Sequence, residues 1–146
     1  MLFRSIVGQV FDHLFQLEGR RALDFVAAFL LDSAETVREE AALSLGSSRL
    51  PAAVGRLTEA WTRERDPQFR LVLLRALSAT RQPDSLEFLL NLLRIGRIAD
   101  ATAALEALAL HRDSPEIRRQ VEEAARLREP EVRQQLRQSF ARAENA

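Results

Sequence analysis

An apolar–arginine pair and the residues that follow it recur in this sequence every 31 or 32 positions. Val37-Arg38 is followed by Ala41, Ser44 and Leu45, Phe69-Arg70 by Leu73, Ala76 and Leu77, and Val132-Arg133 by Leu136, Ser139 and Phe140. A degenerate copy begins at Asp100-Ala101 and continues with Ala104, Ala107 and Leu108. Self-similarity at such a period means a stack of like units, none of which buries its apolar face alone. Residues spaced 0, 4, 7 and 8 apart share one side of an α-helix and no side of a strand. A second helical stripe precedes each copy: Phe25, Val26 and Phe29; Val54, Leu57 and Trp61; Leu86, Leu89, Leu90 and Leu93; Ile117, Val121 and Ala124. Each repeat is therefore two helices, A and then B.

Proline gives the same phase independently. Pro51, Pro67, Pro83, Pro115 and Pro130 lie on a grid of half a repeat, with one gap at Ala99. Proline is tolerated in the first turn of a helix and breaks its interior, so the grid marks helix starts. Asp66 and Ser114 precede prolines and suit N-caps. Asp32 with Glu35 predicts a capping box, and Gly46 and Gly96 are expected as C-terminal caps. Ile6, Val10, Phe11, Leu14 and Phe15 predict one further helix ending near Gly19. The expected architecture is all-α: a right-handed α-α superhelix, or α-solenoid, of about nine helices. It would comprise a leading helix (3–18) and four hairpins, at roughly 20–47, 48–80, 81–112 and 113–143. Each helix is expected to run about 11–14 residues, or roughly 16–21 Å. Residues 1–146 are read as one domain.

The string Glu35-Thr-Val-Arg-Glu-Glu-Ala-Ala-Leu-Ser-Leu-Gly46 resembles the second helix of a HEAT repeat, in particular the short HEAT-like repeats of bilin-lyase-type and many bacterial proteins. The resemblance extends over roughly residues 20–142 and departs from the pattern at Asp100-Ala101. It implies a superhelical stack whose B helices line a concave surface that takes a partner. The tetratricopeptide pattern fits less well, because its Trp, Gly and Tyr positions are not met, and the Thr-Pro-Leu-His of ankyrin repeats is absent.

Charge narrows the partner. The chain has 21 basic and 21 acidic residues, and every basic residue is arginine. Residues 1–73 hold nine arginines against ten acids, and residues 74–146 hold twelve against eleven. No basic stripe of the kind that holds nucleic acid is present, so nucleic acid is not expected as the partner. No apolar run is long enough to cross a membrane, and the N-terminal apolar stretch is interrupted by Gln9, Asp12 and His13. A cytoplasmic location is expected. There is no cysteine, which excludes disulfides and thiolate metal sites.

His13 and His111 have no ligand-type neighbours at helical spacing, no serine sits in an elbow motif, and the five glycines are scattered singly. No catalytic, metal or cofactor site is expected. The function expected is a protein-binding or scaffolding module. The alternative is an enzyme of the bilin-lyase type or a helical-repeat DNA-repair enzyme. Arg38, Arg70 and Arg133 are read as structural, since equivalent positions in a solenoid meet neighbouring repeats. On each B helix the positions two and six residues past the repeat start point away from the core, toward the groove. They are Glu39 and Leu43, Leu71 and Arg75, Thr102 and Glu106, then Gln134 and Gln138. Leu43 and Leu71, bordered by Glu39 and Arg75, form the expected partner spot, with Thr102 and Glu106 on the next helix. The competing reading is that surface leucines in the middle of a small solenoid carry no function. Phe3, Phe11 and Phe15 call for a covering surface on the leading helix, whereas Arg142, Glu144 and Asn145 make the C-terminal end polar. The chain is thus expected to be the C-terminal piece of a longer array, or to self-associate through residues 1–18.

Overall fold

The computed structural model describes residues 5–141, and among them it contains nine α-helices, three short 3-10 segments and no strand. In chain order these are α1 (Ile6–Glu18), α2 (Leu23–Ala28), α3 (Glu35–Ser47), α4 (Pro51–Arg63), α5 (Pro67–Ala79), α6 (Pro83–Ile95), α7 (Ile98–Leu108), α8 (Pro115–Ala125) and α9 (Pro130–Ser139). This is the all-α, paired-helix architecture of an α-solenoid. All five prolines stand at the first position of a helix, and α7, at the gap in the grid, starts at Ile98. Asp66 accepts from the Gln68 and Phe69 amides, and Ser114 accepts from that of Ile117, so both caps form as expected. None of the described helices is long and apolar enough to cross a membrane.

The chain divides into two compact units, Met1–Ser85 and Leu86–Ala146. In the first, the B helices α3 and α5 pack side by side, α1 packs on the other flank of α3, and the A helices α2 and α4 lie against them. Its core is the predicted stripe: Ala41, Ser44 and Leu45 of α3 and Phe69, Leu73, Ala76 and Leu77 of α5 are all buried, together with Leu23, Val26 and Leu57. In the second unit α7 packs on α9 around Ala101, Ala104, Leu105, Leu108, Val132 and Phe140.

Several local expectations are corrected. The first A helix is not one continuous piece; 3-10 turns at Gly19–Ala22 and Phe29–Leu31 flank a six-residue α2. The second of these turns lies where the Phe29 ring sits 5.1 Å from that of Phe11 and 5.3 Å from that of Phe25. The capping box at Asp32 and Glu35 does not form. Ala34 occupies the N-cap without a side-chain bond, Glu35 opens the helix, and Asp32 accepts from the Ala34 amide one turn early.

Gly96 does follow the end of α6, but Gly46 is no cap: it lies inside α3, buried against α5. A Cβ at Gly46 would stand 2.6 Å from the Ala76 carbonyl oxygen and 2.9 Å from its Cα. The residue that turns left-handed after α3 is Arg49 (φ 54°), and Arg81 (φ 56°) does the same after α5. The two turns are built alike. Ser48 and Thr80 donate their hydroxyls to the carbonyls of Leu45 and Leu77, both at 2.6 Å, and accept from the amides of Leu50 and Gln82. Gln82 then donates to the Arg49 carbonyl one repeat back, at 2.8 Å.

A methyl group at Gly46 meets backbone that cannot rotate away, so Gly46→Ala is expected to lower stability by about 1–3 kcal/mol. Gly55 stands exposed inside α4 with nothing within 4 Å of a Cβ. There the helix propensity of alanine acts alone, and Gly55→Ala is expected to raise stability by about 0.5–1 kcal/mol. Urea unfolding of the two variants checks both signs.

Candidate interaction surface

Of the recurrent arginines, Arg38 and Arg70 hold borders between helices. Arg38 leaves the first turn of α3, donates from Nη1 to the carbonyls of Asp32 (2.8 Å) and Ser33 (3.2 Å), and lies 5.4 Å from the centre of the Phe69 ring. It thereby orders the uncapped turn before its own helix. Arg70 stacks 4.0 Å over the Trp61 ring, tying α5 to α4. Arg133 is exposed on α9. In the second unit the comparable contacts come from Arg118 and Arg128. Arg118 donates to the carbonyls of Phe140 (2.7 Å) and Arg112 (3.0 Å) beside the Phe140 ring. Arg128 donates to those of Leu93 and Gly96 at the end of α6. The Glu129 carboxyl is held below the usual carboxylate range by its own backbone amide and by Arg128, whose Nε is 2.8 Å away.

The positions expected to take a partner are less buried than the core stripe of the same helices. Glu39 and Leu43 on α3 and Leu71 on α5 are half-buried, and Arg75 is exposed. These four belong to the first unit, and their two helices pack directly on each other. Thr102 and Glu106 belong to the second unit; Thr102 is half-buried with its hydroxyl bonded to the Ala99 carbonyl, and Glu106 is exposed. Gln134 and Gln138 are exposed on α9.

His13 stands exposed on α1 and His111 half-buried in the 3-10 turn after α7. The leading helix keeps an open apolar face, though not at its phenylalanines. Phe11 is buried and Phe15 half-buried, while Ile6 (80% exposed), Val10 (50%) and Leu17 (72%) remain in solvent. Phe3, Arg142, Glu144 and Asn145 lie outside the described residues.

A family model described as HEAT repeats matches residues 23–109, more than half of the chain. The chain belongs to the HEAT-repeat family. No curated protein and no solved structure matches it. The match begins at α2 and ends just past α7, so it takes in the third repeat, whose Asp100-Ala101 departs from the usual pair.

Several residues that hold these HEAT repeats together escaped the sequence reading. Ser48-Arg49-Leu50-Pro51 and Thr80-Arg81-Gln82-Pro83 share one pattern, a hydroxyl residue, Arg, any residue and Pro, 32 residues apart, and aligning the repeats on proline would have exposed it. Arg118 and Arg128 carry no such signal, because their partners are backbone carbonyls and no side chain elsewhere betrays them.

Arg38→Ala leaves two carbonyls without their donor and is expected to lower stability by about 1–3 kcal/mol. Arg70→Ala loses a close cation–π contact worth about 0.5–2 kcal/mol. Denaturant midpoints measure both. A melting curve unmoved by either change, with a binding activity lost instead, would reverse their assignment.

Proposed function

We propose that this chain is a protein-binding or scaffolding module rather than an enzyme, and that its partner lies along the exposed edge of α3 and α5. HEAT repeats are generally interaction modules, which supports the class of function. One observation carries the location. Leu43 and Leu71 are half-buried leucines on two helices packed side by side, each on the face turned away from that helix's buried stripe. Leucines at such positions keep part of their apolar surface in water, and Glu39 and Arg75 give that surface a polar border. An apolar spot rimmed by charge is the usual form of a partner site. Thr102 and Glu106 hold the equivalent positions of α7 within the second unit.

In affinity capture with the wild-type chain as bait, Leu43→Asp with Leu71→Asp is expected to weaken partner binding by about tenfold or more, with the melting temperature little changed. Undiminished capture by a folded variant overturns the location.

Self-association is a separate part of the proposal, and it rests on the open Ile6, Val10 and Leu17 of α1. Light scattering is expected to show a larger species for the wild-type chain and a monomer for Val10→Glu with Leu17→Glu. A strict monomer for both removes this part.

A further inference from the structure

We infer that the cavity between α6 and α8 is a second docking site, and that its occupant is a peptide segment in which acidic residues flank an apolar side chain. The site lies wholly within the second unit and does not depend on the edge of α3 and α5. Glu87, Leu90 and Arg94 form one stripe of α6; Arg119, Glu123 and Leu127 continue a stripe of α8 into the turn that follows. The space between them is about 740 Å³. Leu90 and Ala124 are its buried floor, and Leu127 stands at its edge, 85% exposed. A leucine this open beside a concave surface is apolar area that a ligand can cover.

The charge of the lining selects the ligand. Four arginines face the cavity against two glutamates. Arg128 is committed to the Leu93 and Gly96 carbonyls and to Glu129, and its side chain is only 11% exposed. The others are available. Arg94 and Arg126 stand 3.6 Å from Glu87 and Glu123, and all four side chains are about half exposed or more. Exposed pairs of this kind are weak, so an incoming carboxylate exchanges for them at little cost. Arg119 is exposed on the same wall.

The cavity between α2 and α4 in the first unit, about 320 Å³, has the opposite balance. Asp24, Glu59 and Glu64 face it against Arg56 and Arg63, and Arg56 pairs with Asp24 while Arg63 pairs with Glu59. Excess guanidinium over an apolar floor is therefore a property of the α6–α8 cavity and not of every A-helix groove in this chain. A nucleic-acid backbone suits it less well, because phosphates gain nothing from the apolar floor or from Leu127. Carboxylates placed on either side of a leucine-sized side chain satisfy both the arginines and the floor.

The test is selection of a random peptide phage library on the wild-type chain, followed by fluorescence anisotropy of the enriched peptides made synthetically. Enriched sequences are expected to carry Asp or Glu within a residue or two of Leu, Ile or Phe. Their affinity is expected to fall about tenfold or more in Arg119→Glu with Arg126→Glu, to fall in Leu127→Ser, and to weaken with added salt. It should be unchanged in Leu43→Asp with Leu71→Asp, which separates this site from the edge of α3 and α5. Circular dichroism checks that each variant folds. No enrichment, enriched peptides without acids, binding that survives the double charge reversal in a folded variant, or tighter binding of a short single-stranded DNA overturns the inference.

Discussion

The contact between α3 and α5 is set by a missing side chain. Gly46 lets the backbone of α3 lie on that of α5 at Ala76, closer than any residue with a Cβ permits. Buried small residues stand on both helices, Ala41 and Ala42 on α3 and Ala76 on α5. Close backbone approach brings the larger side chains Leu45, Phe69, Leu73 and Leu77 into one layer, where they exclude water. It also sets Leu43 and Leu71 on neighbouring helices, so the proposed partner edge depends on the same glycine.

Around that seam the repeats are joined by polar contacts rather than by more apolar surface. The serine or threonine that closes α3 and α5 brackets the left-handed arginine after it, and Gln82 links the second such turn to the Arg49 carbonyl of the first. In the second unit Arg128 reaches back 32 residues to the Gly96 carbonyl. These bonds cover helix-end carbonyls that the helices cannot satisfy themselves. They also fix where each helix starts relative to the one a repeat before. Asp12 and Ser44, bonded at 2.7 Å and 32 residues apart, make the corresponding link between α1 and α3.

Surface chemistry then separates the two units. The A-helix cavity of the first is slightly acidic and largely paired within itself; that of the second is basic, with loosely held guanidiniums and an exposed leucine. A chain with zero formal net charge thus still presents local fields of opposite sign. A helical-repeat scaffold permits this, because positions away from the core stripe vary without disturbing the packing.

The sequence alone determined the helical period, the proline-marked helix starts, the buried stripes of α3, α5 and α7 and membership of the HEAT-repeat family. These are local properties: proline fixes its own φ, an N-cap bonds its own turn, and a stripe is a matter of spacing along one helix. Tertiary structure alone decided the rest. Gly46 looks like a helix end in one dimension and is a close-packing residue in three, because its neighbour Ala76 lies 30 positions away. The first A helix breaks into 3-10 turns around Phe29, whose ring partner Phe11 belongs to another helix. Arg118 and Arg128 were legible as charges and illegible as clamps, because the carbonyls they hold exist at every residue and only the fold chooses which ones come within reach.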